Sequence, residues 1–176
     1  MQVKPFFHND TKTFSYVVFD EQSLDAVIID SVLDFELITQ KISFEALDQI
    51  CDFLDKENLK TQLILDTHLH ADHLSGAFYL KKRLNVKSAI GKNFLISQDY
   101  FAKTYEIAPE QNYDVLLDEK EEKLSSINLK TMFIPGHTAS CAGYLIGDAF
   151  FCGDALFLPE MGCGRTDFPL GSAEDL

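Results

Sequence analysis

The segment THLHADH, Thr67 to His73, gathers three of the chain's five histidines and one aspartate into the six positions 68–73. His68 and His70 are separated by a single residue, so on a loop both imidazoles can converge on one point. Asp72 and His73 can reach that point or a second one. Imidazole nitrogens and carboxylate oxygens are the usual ligands of zinc, iron and manganese. Burying so many polar side chains without an ion or other partners is costly. A lone histidine at a strand end is ordinarily structural, whereas four ligand-type side chains in one short run point to a metal centre. Two more ligand types follow apolar strands: His137 in PGHT after LKTMFI, and Asp154 in FCGD after AFFC. Pro135, Gly136 and Gly153 break those strands and free the backbone for unusual turns. A single Gly-Asp commonly makes a plain turn. Strand, glycine and ligand recurring along one chain predict a common site at one edge of a sheet.

The elements that must carry these residues are legible from periodicity. Runs rich in β-branched and aromatic residues mark strands at Thr13–Phe19 and Asp25–Asp30, joined by a turn at Asp20–Ser23 and followed by a loop holding Asp30 and Asp34. Phe44, Leu47, Ile50 and Leu54 share one helical face, with Ser43 as the expected N-cap. Gln62–Asp66 is a short apolar run of the buried kind, and the histidine cluster begins where it should end. A second helix is expected from near Ser75 through AFYLKKRL, then a strand at Ser88–Gly91, a helix at Phe94–Tyr105 and a strand at Asp114–Leu117. Glu119–Lys123 reads as a solvated turn. Strands at Leu129–Ile134, Ala142–Ile146 and Ala149–Cys152 precede a loop-rich tail. Strands, helix–strand–helix units and strands again predict an α/β (or α+β) layered domain with sheets inside and helices outside.

THLHADH, PGHT and FCGD, in this order, resemble the metal-binding motifs of the metallo-β-lactamase superfamily, and the likeness runs from the first hairpin to Asp154. It implies an αβ/βα sandwich with a metal at one edge between two sheets. MGCGRTDFPLG (Met161–Gly171), HADHLSGAFYLKKRL and GHTASCAGYLIGDAFFCGDALF resemble the persulfide dioxygenase branch and its bacterial relatives. That resemblance implies one ferrous iron held by His68, His137 and Asp154, and oxidation of glutathione persulfide by O2 to sulfite and glutathione. Two histidines and one carboxylate leave positions open on such an ion. By the same analogy His70, Asp72 and His73 orient the ligands and hold water around the site. Arg165 pairs with a glutathione carboxylate or, in the plainer alternative, with Asp167. Cys163 lies near the substrate sulfur or is simply a small loop residue. The superfamily usually has a further histidine ligand, yet none follows His137 here. The closing GSAEDL reads as the capped first turn of a helix. One domain over 1–176, lacking its C-terminal portion, is the expectation, and with it an active site left open on one side.

Composition narrows the partners. With 28 acids against 15 bases the formal net charge is −13, and no basic cluster offers a footprint for nucleic acid or an anionic membrane. The N-terminal residues lack the apolar core of a signal peptide, and no run approaches transmembrane length. The four cysteines, Cys51, Cys141, Cys152 and Cys163, form no C-x-x-C pair, which argues against a structural zinc ribbon and for reduced thiols in a cytoplasmic protein. A shortened chain with uncovered apolar surface suggests pairing with a second copy. Three functions remain in competition. The first is the iron dioxygenase. The second is a hydrolase of glutathione thioesters of the glyoxalase II kind, with two zinc ions: His68, His70 and His137 on one, Asp72 and His73 on the other, Asp154 between them. The third is a binding protein that kept the fold and lost turnover. Metal identity and count separate them.

Overall fold

The computed structural model describes residues 1–109 and 112–176. They divide into two units, each packed about its own elements. The first comprises Met1–Asp66, His70–Ser88 and Lys123–Asn128. In it β1 (Gln2–His8), β2 (Thr13–Phe19) and β3 (Asp25–Ile29) form an antiparallel meander. The chain then leaves the sheet through β4 (Val32–Glu36), β5 (Lys41–Ser43) and α1 (Glu45–Lys56), and returns as β6 (Lys60–Asp66), parallel to β3. All five residues of β3 are buried, the signature of a strand covered on both faces. On one face Val17, Ala26, Ile28 and Ile64 pack with Leu47, Ile50, Cys51 and Leu54 of α1. The spacing i, i+3, i+4, i+7 puts those four α1 residues on one stripe. Ala77 and Leu80 of α2 (Ala77–Leu84) complete the same core. β4 lies between β5 and the two-residue β7 (Leu74–Ser75) in a small separate sheet.

Two local expectations need correction in this unit. The stretch after Asp30, expected as loop, is strand β4. Its acids Asp34 and Glu36 hid a short strand whose Val32 and Leu33 are buried. Ser43 does not cap α1. Phe44 occupies the N-cap without a side-chain bond, and the Ala46 N–H donates instead to Asp34 Oδ2 across the chain at 2.9 Å. The Ser43 hydroxyl donates to the Glu45 carboxylate.

The second unit comprises Thr67–Leu69, Ala89–Glu122 and Leu129–Leu176. β8 (Ser88–Gly91) pairs in parallel with β9 (Val115–Leu117), with α3 (Phe94–Thr104) between them in sequence. β11 (Ile127–Phe133), β12 (Ala142–Ile146) and β13 (Ala149–Phe151) form an antiparallel meander. The β12–β13 turn is Gly147-Asp148, and Gly147 takes φ +62°, which suits glycine in a tight hairpin. Leu129, Ala142, Tyr144 and Ile146 are fully buried. The segment expected as a solvated turn at Glu119–Lys123 is strand β10 (Glu121–Leu124) for most of its length. Its alternate residues are exposed, so charge masked the period-two signal. The mixed α/β content expected from the sequence is present. Among the described residues no helix is long and apolar enough to cross a membrane.

Leu80 is wholly buried in the α1–α2 core. Leu80→Ala should lower unfolding free energy by about 2–5 kcal/mol, read as a reduced urea midpoint with an unchanged slope.

Candidate metal centre

His68, His137 and Asp154 all belong to the second unit, and each follows a strand end. His68 stands two residues beyond β6, and the preceding Thr67 carbonyl accepts the Ala142 N–H of β12 at 2.8 Å. His137 lies in the β11–β12 connection. That connection is held by Asn93, whose Nδ2 donates to the carbonyls of Ala139 (3.2 Å) and Cys141 (2.9 Å). Asp154 is the middle residue of a 3-10 turn, Gly153–Ala155. The Asp154 Oδ2 atom is 3.5 Å from His137 Nε2 and 4.0 Å from His68 Nε2. One donor atom from each of the three residues lies within 4.8 Å of the others. The two imidazoles stand nearly perpendicular, 89° between planes with centroids 5.1 Å apart.

Both rings are oriented through Nδ1. His137 Nδ1 donates to the Arg165 carbonyl at 2.7 Å, and His68 Nδ1 meets the Thr67 hydroxyl at 3.0 Å. The carbonyl keeps the proton of His137 on Nδ1, so its Nε2 presents a lone pair, the arrangement that metal-binding histidines require, while the Thr67 hydroxyl can serve either tautomer of His68. Bonds from zinc or iron to such ligands are about 2.0–2.2 Å, so ligand atoms around one ion stand roughly 3–4 Å apart. Two imidazole nitrogens and one carboxylate oxygen at the observed separations fit a zinc, iron or manganese ion. Two glycines make the close approach possible. Gly153 takes φ +51°, and a Cβ there would stand 2.3 Å from Thr67 Oγ1. A Cβ on Gly164 would stand 2.0 Å from the Asp154 carbonyl oxygen and 3.1 Å from His137 Nδ1.

His70, Asp72 and His73 belong to the first unit and form a second group whose donor atoms also lie within 4.8 Å of one another. His70 is also within such reach of Asp30 and Asp66. His70 Nε2 bonds Asp30 Oδ1 at 3.1 Å, and Ser75 donates to Asp66 Oδ2 at 2.6 Å. Burial by itself would push the His70 imidazolium down. The charge and hydrogen bond of Asp30, aided by the charges of Asp66 and Asp72, outweigh it and raise His70 from 6.5 to about 9. His73 stacks on His70 with centroids 4.2 Å apart. Burial and then the neighbouring His70 charge hold His73 below its ordinary value. Its Nδ1 meets the Leu74 carbonyl at 3.2 Å, and its buried Nε2 has no hydrogen-bond partner among the described residues.

Arg165 and Cys163 line a cavity of about 660 Å³ in the second unit, together with Cys152, Phe133, Phe150 and Leu156. Cys163 is exposed. The Arg165 guanidinium pairs with Asp167 through Nε (2.5 Å) and Nη2 (2.6 Å), the plainer of its two expected roles. Sequence reasoning passed over Thr67, Asn93, Gly164 and the side chain of Asp30. Thr67 and Asp30 stood in quoted segments without a role, and nothing in the local pattern marks Asn93 or Gly164. Gly164→Ala should displace the Asp154 turn or the Arg165 carbonyl. Metal affinity is expected to fall about tenfold or more, measured by competition with a chelator, while the far-ultraviolet circular dichroism stays unchanged.

A persulfide dioxygenase, ETHE1 of Bos taurus mitochondria, is 28% identical over 177 residues, covering 99% of this chain and 59% of that protein. Glyoxylase B2 of Dictyostelium discoideum is 35% identical over 183 residues, covering 99% of this chain and 63% of that protein. The crystal structure of ETHE1 from Myxococcus xanthus superposes with a TM-score of 0.76 at 27% identity, covering 99% of this chain and 66% of that one. The chain thus spans less than two thirds of the length of each of these proteins. Enzymes of this fold bind metal ions, and the donor groups for one are present. The metallo-β-lactamase superfamily profile matches residues 9–176, and the chain belongs to that superfamily.

Proposed function

We propose that this chain carries the iron centre of a cytoplasmic persulfide dioxygenase, with His68, His137 and Asp154 as the three ligands. The observation that carries the reading is the division of the histidines. His70 gives its Nε2 to Asp30, while the His68, His137 and Asp154 donors form a set of two imidazoles and one carboxylate. That is the donor set of mononuclear non-haem iron oxygenases. Ferrous iron bound there would supply a redox-active centre with open positions beside the protein donors. The overall change consumes one persulfide, one O2 and one water, and yields the thiol, sulfite and two protons. Within it, Arg165 and Cys163 serve the substrate side. Asp167 takes the Nε and Nη2 side of the guanidinium, and the Nη1 edge is the one offered to a carboxylate of glutathione persulfide. His70, Asp72 and His73 form a cluster of the first unit that holds protons and water. The likeness to persulfide dioxygenase supports the substrate class. Four free cysteines suit a reducing compartment. A single profile match over 9–176 supports one domain over residues 1–176.

A second reading is a two-metal hydrolase of glutathione thioesters, with zinc as the metal. Two observations favour it: the higher identity, 35%, to glyoxylase B2, and the donor group formed by His70, Asp72 and His73.

Elemental analysis of chain purified without added zinc, joined to oxygen-electrode and thioester assays, decides between them. The dioxygenase reading expects about one iron per chain and oxygen uptake that depends on glutathione persulfide, both abolished by His137→Ala. Two zinc ions per chain with thioester cleavage and no oxygen uptake would overturn it in favour of the hydrolase.

A further inference from the structure

The loop from Cys163 to Ser172 does more than line a cavity. It is stapled at both ends to the loops that bear the candidate ligands. At its start, Gly164 lies against the Asp154 carbonyl so closely that no Cβ fits. At its end, the Ser172 N–H donates to the Gly136 carbonyl, next to His137, at 2.8 Å. Between the staples, the Arg165 carbonyl accepts the His137 Nδ1 proton. Phe168, half-buried, stands edge-on to the His137 ring, with centroids 5.0 Å apart and planes at 74°. The guanidinium of Arg165 lies over the Phe168 ring, 4.9 Å from its centroid, and is itself clamped by both oxygens of Asp167. Asp167, Arg165, Phe168 and His137 therefore form a continuous chain of contacts in which three exposed or half-exposed residues converge on one buried imidazole.

We propose that Phe168, held by the Arg165–Asp167 pair, is the positioning residue of His137: its ring sets the plane of the imidazole while the Arg165 carbonyl sets the tautomer. An imidazole hydrogen-bonded at Nδ1 alone can still swing about Cβ–Cγ. A ring packed against its side removes that freedom, so that Nε2 stays aimed at Asp154. The guanidinium contributes by lying over the Phe168 ring, and Asp167 by fixing the guanidinium plane, a role that a flexible lysine could not take over. Backbone and side chain of Arg165 thus act on the same histidine from two directions. This inference rests on the reading of His137 as a metal ligand, but its first consequence concerns the protein without metal.

The test uses the full chain and the variants Phe168→Tyr, Phe168→Leu and Asp167→Ala. In the metal-free protein, long-range proton–nitrogen NMR correlations report which nitrogen of His137 carries the proton. Wild type and Phe168→Tyr should both show a single tautomer protonated at Nδ1. In Phe168→Leu the freed ring swings away from the Arg165 carbonyl and loses the bond that holds the proton on Nδ1, so a mixture should appear, with Asp167→Ala changed in the same direction. Cobalt(II), titrated in competition with a chelator, should bind about 10- to 100-fold more weakly to Phe168→Leu, with the affinity preserved in Phe168→Tyr. Retention of the dispersed amide spectrum separates this from unfolding, and the Tyr variant keeps the comparison valid should the Leu variant fold poorly. A Phe168→Leu protein with the wild-type tautomer and wild-type cobalt affinity, or a Phe168→Tyr protein as impaired as the Leu variant, overturns the inference. If His137→Ala binds cobalt as tightly as wild type, the ligand reading of His137 fails instead, and the tautomer in the metal-free chain decides the positioning role alone.

Discussion

Everything at the centre depends on which nitrogen of each imidazole is turned inward. A histidine has two, and a side chain with both equally available offers a metal no defined geometry. Here each ring is held from behind, and for His137 the partner also makes the choice. The Arg165 carbonyl takes the Nδ1 proton of His137, and the Thr67 hydroxyl meets Nδ1 of His68. The Nε2 atoms are left facing the carboxylate of Asp154. The carbonyl can only accept, so His137 keeps its proton on Nδ1 for as long as its ring stays in the plane of that bond.

Such anchoring requires backbone to approach side chain more closely than most residues permit. Gly153 and Gly164 mark the two places where it happens. One brings the Asp154 turn against Thr67, and the other brings the Arg165 strand of loop against the Asp154 carbonyl. The strands supply the rigid part. His137 sits beyond β11 and Asp154 beyond β13, and the antiparallel register of β11 and β13 on either side of β12 brings both loops to one end of the meander. Thr67, through its bond to Ala142 at the start of β12, delivers His68 to the same end.

The first unit handles its histidines differently. His70 and His73 are surrounded by carboxylates, and Asp30 answers His70 from a left-handed backbone position, φ 50°. Strain of that kind in a non-glycine residue persists only where neighbouring interactions hold it. The Asp30 carbonyl accepts the buried Ser15 hydroxyl at 2.8 Å, and the Asp30 N–H reaches the Leu65 carbonyl at 2.9 Å. Asp34 shows the same economy of position, since one oxygen meets His8 and the other the first turn of α1.

By itself the sequence determined the donor types, their spacing and their places after strands, because ligand identity, apolar runs and strand-breaking glycines are local signals. It also located α1, α2, α3 and the strands that carry the candidate ligands to within a few residues. It missed β4 and β10, where acidic side chains obscured short alternations, left β1, β5 and β7 unread, and assigned the α1 cap to Ser43 when Asp34, distant along the chain, supplies the bond. Only the tertiary structure decided that His70 turns to Asp30, 40 positions away, and that His137 answers to Arg165, 28 positions away. The physical reason is that orientation at a metal centre comes from hydrogen bonds and ring contacts between segments remote in sequence. No periodicity or motif records those partners until the chain has folded.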